Sequence, residues 1–245
     1  IFSWGIFGLT SSEARFAAKQ LLYMHKEIIE RSAPVILELG VDRGQSTKVF
    51  LNAINCNSSA RLVSVDIRNC SNVSDSKYWT FLKMNSLDID KIIEEAPILK
   101  DGIDIIYIDS LHTPEHVYGE IYGWFPFLNK NGIIFFDDID SGPYLQGQRK
   151  DNFQIEISNR KILELIESIF ISNIDILDFS ILKGSTGLGI LKKICSREIE
   201  LKKPKYIKKR KNLLLWKIYN KLFQKKQYKH SLDSSQSFLI DVTKY

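Results

Sequence analysis

The sequence predicts an α/β fold, a doubly wound sheet of seven strands that is mostly parallel and ends in an antiparallel hairpin. Two observations predict it. Short β-branched apolar runs alternate with longer amphipathic stretches, and the last two such runs are joined by only four residues. In chain order, a helix over Ser12–Ile29 precedes the first strand, Val35–Leu39, and a helix over Ser46–Asn55 leads to the second, Arg61–Asp66. The third strand candidate is Thr80–Met84, followed by a helix over Asp88–Ala96. Ile103–Asp109, a helix over Pro114–Leu128, Gly132–Asp137 and a helix from about Phe153 to Phe170 come next. Strands separated by helices imply right-handed crossovers and a sheet covered on both faces. The strands Ile174–Leu182 and Gly187–Lys192 flank Lys183-Gly184-Ser185-Thr186, which leaves no room for a helix and so makes a hairpin.

In such a sheet, ligands bind beyond the carboxyl ends of the strands. The first strand runs into Glu38-Leu39-Gly40-Val41-Asp42-Arg43-Gly44-Gln45-Ser46-Thr47. Gly40 and Gly44 permit a tight turn and close backbone approach, and the helix that follows presents unpaired N–H groups at its start. A dinucleotide turn wants Gly-x-Gly-x-x-Gly, whereas the middle position here is Asp42 and the last is Thr47. A carboxylate beside pyrophosphate is repulsive. Glu38 and Asp42 suit a positively charged ligand instead, such as the sulfonium and α-amino groups of S-adenosylmethionine (SAM). Asp66 ends the second strand roughly 20 residues after the turn, the placement that bonds ribose hydroxyls. Asn85 and Ser86, after the third strand, offer polar groups to an adenine edge. Each of these also has a plain structural reading, as a turn residue or helix cap.

The fourth and fifth strands carry the denser constellation. Ile105-Ile106-Tyr107-Ile108 ends in Asp109, with His112 three residues on, and Ile133-Ile134-Phe135-Phe136 ends in Asp137 and Asp138. Neighbouring parallel strands bring Asp109, Asp137 and Asp138 to one rim, where three carboxylates repel unless protonated or cation-bound. Hard oxygen donors select Mg²⁺, Ca²⁺ or Mn²⁺. His112-Thr113-Pro114-Glu115-His116 also matches the His-x-x-Glu-His of zinc peptidases. That motif needs both histidines on one helical face, and Pro114 fits best as the first helical residue with Thr113 as cap, which leaves His112 outside.

From Ile103 to Ile139, with Ile-Asp-x-x-His, Leu-Asn-Lys-Asn-Gly and Asp-Asp, the sequence resembles methyltransferase family 24. This group includes the macrocin and mycinamicin sugar O-methyltransferases, and some relatives are labelled cephalosporin hydroxylase. With the Glu38–Ser46 turn and Asp66, the resemblance spans Pro34 to Lys193. It implies a Rossmann-like class I SAM methyltransferase, with Asp109, Asp137 and Asp138 binding Mg²⁺ or another hard divalent cation and His112 as base. Glu38, Gly40, Gly44, Ser46, Asp66, Asn85, Ser86 and Asp109 would serve the cofactor. Some relatives carry Glu where Asp137 stands, and Lys130-Asn131-Gly132 replaces their Pro-Gly-Gly. The implied reaction is methyl transfer to a hydroxyl of a small molecule, a sugar or glycoconjugate precursor. The loop Asp140–Phe153 offers Tyr144, Gln148 and Arg149 as candidate substrate contacts, the alternative being a mobile loop with no ligand role.

Charge divides the chain. Between Lys192 and His230 stand 15 Lys and Arg against 2 Glu, so residues 1–191 carry −7 while the whole chain is at +5. Leu215, Ile218, Tyr219, Leu222 and Phe223 follow helical spacing among lysines, a pattern suited to an acidic membrane surface, a second subunit or nucleic acid. The acidic body and the lack of an Asn-Pro-Pro-Tyr-like motif argue against nucleic acid. The alternative function is a SAM-fold binding or scaffolding protein that uses this tail. Three cysteines, Cys56, Cys70 and Cys195, give no disulfide framework. With no apolar run near the roughly 20 residues of a membrane span and no basic leader, a cytoplasmic, possibly membrane-peripheral protein is expected. The expected organisation is an N-terminal helical or lid segment over 1–33, a SAM-binding domain over 34–195 and a basic extension over 196–245.

Overall fold

The structure, a computed structural model, describes residues 11–55, 57, 59–145 and 153–204. The expected lid at Ile1–Thr10, the contacts Gln148 and Arg149, and the amphipathic stripe of the tail lie outside the described residues. In chain order the elements are α1 (Ser11–Ile29), β1 (Val35–Leu39), α2 (Gln45–Ile54), β2 (Arg61–Asp66) and β3 (Trp79–Lys83). Then come α3 (Ile89–Glu95), α4 (Ile98–Asp101), β4 (Ile103–Ile108), α5 (Pro114–Trp124) and β5 (Leu128–Phe136). Last are α6 (Gly142–Leu145), α7 (Phe153–Ser172), β6 (Leu177–Leu182) and β7 (Leu188–Lys193). The seven strands form one sheet in the order β3-β2-β1-β4-β5-β7-β6.

Strands β1 to β5 pair in parallel, and β7 pairs antiparallel to both β5 and β6. The hairpin folds back so that its second strand enters the sheet and β6 becomes the edge. Apolar side chains alternate to the two faces. Leu37, Leu39, Val63, Ile106, Ile108 and Ile134 pack with residues of α3, α5 and α7, including Ile92, Ile121 and Leu165. Ile36, Leu62, Ile105, Ile133 and Phe135 pack with Met24 and Ile28 of α1 and Phe50 of α2. Two cores, one on each face, give the three-layer architecture.

Several boundaries differ from expectation for local reasons. The helix after β4 stops at Trp124, and Phe125–Phe127 forms a 3-10 turn, because Pro126 has no N–H to donate to the helix. Strand β5 starts early at Leu128, but its pairing with β4 shifts between Ile103 and Ile105, where Asn131 takes φ 64°. Asn173 accepts backbone bonds from Ile176 and Leu177, so Ile174 to Ile176 are turn rather than strand. Beyond β7, the chain is strapped to the end of the sheet opposite the ligand rim. Buried Lys193 donates to the carbonyls of Phe125, Leu128 and Arg197 at 3.0–3.2 Å, and Arg197 donates to Lys100, Asp101 and Pro126. Asn173 and Tyr122 hold Lys202. Among the described residues no helix is long and apolar enough to cross a membrane.

Candidate active site

The first turn is built on a buried carboxylate. Glu38 pairs in register with Ser64 of β2 and Tyr107 of β4 and is fully buried. It accepts hydrogen bonds from Ser46 Oγ at 2.5 Å, Ser64 Oγ at 2.6 Å and Thr47 Oγ1 at 2.7 Å. Burial outweighs these three donors and pushes its carboxyl up to about 7. Its oxygens are spent on hydroxyls, and it lines neither cleft described below. It ties α2 to the sheet and so positions the turn. Gly40, at φ 98°, could not be otherwise: a Cβ there would lie 2.0 Å from the Asp109 carbonyl oxygen. Gly44 opens α2 at φ 71°, with no side chain capping the helix.

Asp66 has a similar supporting part. Its Oδ2 accepts from Val41 N–H at 2.9 Å and Asp42 N–H at 3.2 Å, and its Oδ1 accepts from Arg68 N–H at 2.8 Å. Burial works against its ionised form, but these donors and the Arg68 guanidinium prevail and hold the carboxyl below the usual range. Arg68 also reaches Asp42, 3.0 Å away. Sequence reasoning missed Arg68, although a basic residue two past a strand-end aspartate is visible in Asp66-Ile67-Arg68.

A cleft of about 390 Å³ opens over the ends of β1, β2, β3 and β4. Gly40, Asp66, Asn85, Ser86 and Asp109 line it, together with Ile67 and Leu111, 71% and 59% exposed. Two apolar side chains held out to solvent beside polar strand ends suit a flat heterocycle. Behind them, His116 Nε2 stands 2.9 Å from Ser86 Oγ and 3.2 Å from Glu120, and Ser110 Oγ donates to Glu120 at 2.5 Å. Thr113 caps α5 by accepting from His116 N–H, with Pro114 first in the helix. His112 therefore lies outside α5 and faces other groups, so the His-x-x-Glu-His run assembles no zinc site.

Asp109, Asp137 and Asp138 do come together. The buried Tyr107 hydroxyl stands 2.9 Å from Asp137 Oδ2 and 3.3 Å from Asp109 Oδ2, and its ring packs edge-on to Phe50. Sequence reasoning missed Tyr107, though a tyrosine two residues before Asp109 shares its face of the strand. His112 Nε2 is 3.5 Å from Asp109 Oδ1 and 3.9 Å from Asp138 Oδ2. The His112 carbonyl is held by Ser158 of α7 at 2.7 Å. Burial first, then Asp137, Asp138 and Glu38, raise the Asp109 carboxyl well above the usual range. Asp138, at φ 53°, occupies a strained left-handed conformation. Among the described residues no group of three or more His, Cys, Asp or Glu stands in an arrangement that could hold a metal ion.

A second cleft, about 320 Å³ and mostly polar, lies on the other side of these carboxylates. Ser46, Tyr107, Asp137 and Asp138 line it, while Val41, Asp42 and Asp109 are common to both clefts. Tyr144 is 8% exposed and lines neither.

Residues 37–139 match the family model described as a methyltransferase domain. That match takes in less than half of the chain. Solved structures share its fold. The MycE methyltransferase from the mycinamycin biosynthetic pathway, in complex with Mg and S-adenosylhomocysteine (SAH), aligns at TM-score 0.53 and 14% identity. That alignment covers 80% of this chain and 58% of MycE, so this chain spans little more than half the MycE length. A putative caffeoyl-CoA O-methyltransferase from Staphylococcus aureus aligns at 0.52 and 16% identity, covering 76% of this chain and 85% of its own. An O-methyltransferase from Bacillus cereus in complex with SAH aligns at 0.52 and 15%, covering 77% and 93%. No curated protein sequence gives a significant match. The matched segment runs from β1 to just past β5 and so holds the first turn, Asp66, Asp109, His112 and both β5 aspartates.

Proposed function

We propose that the chain is a SAM-dependent O-methyltransferase that moves a methyl group to a hydroxyl of a small molecule, a sugar or glycoconjugate precursor. The observation that carries this reading is the placement of Asp109 between two clefts, one fit for an adenosyl group and one polar, with His112 Nε2 3.5 Å from its carboxylate. SAM, when bound, would supply the methyl group, the C–S bond breaking as the acceptor C–O bond forms, and a hard divalent cation would supply charge that lowers the hydroxyl pKa. Asp109, Asp137 and Asp138 would be its oxygen donors, although they form no ready metal-binding group among the described residues. The donor set fits on charge and on oxygen type, and Asp109, whose pKa is raised by burial and then by its acidic neighbours, is in a position that a cation would relieve.

The protein's own groups divide the remaining work. Val41 and Asp42, fixed by Asp66, wall the first cleft, and Ile67 and Leu111 would cover the adenine faces. Tyr107 holds Asp109 and Asp137 at one rim. His112 takes the acceptor proton at Nε2, where Asp109 and Asp138 stabilise the imidazolium. Alignment of acceptor and methyl group, with proton removal, is the catalysis that a methyl transfer needs.

Calorimetric titration with SAH, with and without Mg²⁺, on the wild type and an Asp137→Ala/Asp138→Ala variant tests the reading. SAH binding in both proteins, with Mg²⁺ binding lost in the variant, is expected. No SAH binding in either would overturn it.

A further inference from the structure

Two polar side chains on the wall of the second cleft each carry an atom that no described residue pairs. Gln20 of α1 is 6% exposed. Its Nε2 donates to the Gly184 carbonyl at 2.7 Å, while its Oε1 accepts no hydrogen bond from the described residues. Thr186, in the β6–β7 turn, is 5% exposed. Its carbonyl accepts from Asp140 N–H at 2.6 Å, and its hydroxyl has no partner among the described residues. Between them Ser185 sits at φ 51°, in the left-handed region. Neither Gln20 Oε1 nor Thr186 Oγ1 is sealed from solvent, so each is open to the cleft and can bond what enters it. Two such atoms on the wall of one polar cleft can bond two hydroxyls of a ligand in place of water.

Sheet order says which ligand. The first cleft lies over β2, β1 and β4, the carboxylates stand at β4 and β5, and the β6–β7 turn follows beyond β5. Gln20 and Thr186 therefore face the carboxylates from the side away from Ile67, where an acceptor rather than an adenosyl group would sit. Among the described lining residues Tyr107 is the sole aromatic, and its ring is packed on Phe50, so the cleft has no open flat face for stacking. Leu21, Met24 and Leu188 add a limited apolar surface, enough for the C–H face of a saturated ring.

We infer that Gln20 and Thr186 are specificity-determining residues for a polyhydroxylated, non-aromatic acceptor, Gln20 Oε1 accepting from one acceptor hydroxyl and Thr186 Oγ1 bonding a second. This assignment rests on the O-methyltransferase reading above and deepens it. Saturation-transfer NMR on the full chain with SAH and Mg²⁺ tests it, using methyl α-glucopyranoside, methyl α-rhamnopyranoside and catechol as separate probes. Wild type, Gln20→Leu and Thr186→Val are compared. Thr186→Val is isosteric and leaves the Gln20 bond to Gly184 in place, which guards against misfolding in the other variant. A glycoside should bind the wild type in preference to catechol and bind each variant about 3- to 10-fold more weakly, with SAH affinity within about twofold of wild type. Glycoside binding indifferent to both substitutions, or catechol preferred, or no glycoside bound beside intact SAH binding, would overturn the assignment. SAH affinity falling in step with glycoside affinity would also overturn it, by giving these residues to the cofactor. A wild type that binds no SAH would remove the methyltransferase reading itself, and this assignment with it.

Discussion

Replacing Glu38 by Gln should flatten part of the pH dependence of stability. Burial raises the Glu38 carboxyl from 4.5 to about 7, because three hydroxyl donors do not recover what the group loses on leaving water. A raised carboxyl binds its proton more tightly in the folded chain than in the unfolded one. Its stabilising contribution is therefore complete below pH 4.5, shrinks as pH rises, and is gone above about pH 7. That gap corresponds to roughly 3 kcal/mol. Gln cannot ionise and keeps nearly the same shape. Its amide NH₂ must face a hydroxyl that formerly donated, which the hydroxyls accommodate by rotating, at a pH-independent cost of about 1 kcal/mol. Urea unfolding followed by tryptophan fluorescence from pH 4.5 to 8.5 reads the difference. The wild type should lose about 3 kcal/mol relative to Glu38→Gln across that range, being the more stable protein at the acid end and the less stable at the alkaline end. Parallel profiles would refute the reasoning, since they would mean that Glu38 titrates alike in the folded and unfolded chains.

Two further outcomes follow from other parts of the structure. His112→Gln should lower the methyl-transfer rate by about 10²–10⁴-fold, the usual worth of a positioned base, while SAH affinity measured by calorimetry stays within about twofold; an undiminished rate would remove His112 from the chemistry. Lys193→Met should cost about 2 kcal/mol in the same urea assay, because the Leu128 and Arg197 carbonyls lose a buried charged donor, and an unchanged midpoint would show that the strap after β7 is held by Arg197 and Asn173 alone.

The sheet is legible in the sequence because its strands are buried on both faces and read as short apolar runs, with helical spacing between them. The antiparallel hairpin is legible from the four-residue connection after Leu182. The short helices α4 and α6 are not, each being four residues with too few positions to show a period. Nor is the early start of β5, where Leu128 is followed by Asn129-Lys130-Asn131 and a register shift that no strand pattern predicts.

At the site, the residue types are legible but their depth is not, and depth separates scaffold from contact. Strand register puts Ser64, Glu38, Tyr107 and Phe135 on one level. Two residues further on, the same register brings Asp66, Gly40, Asp109 and Asp137 to the rim, where the ladder ends in Asp109 N–H to Leu39 and Asp137 N–H to Ile108. Glu38 thus sits one pleat below the carboxylates it resembles in the sequence. One pleat is enough to close it off from both clefts and leave it to hydroxyls that hold the turn. Tyr107 shares that lower level but has the length to reach the rim, and so it meets Asp109 and Asp137 from beneath. Gly40 marks the rim in the sequence, since backbone packs on backbone only where the chain leaves the sheet. Counting back two residues from such a glycine distinguishes a buried framework acid from a ligand-facing one, and counting across to Asp109 identifies the carboxylate that both clefts share.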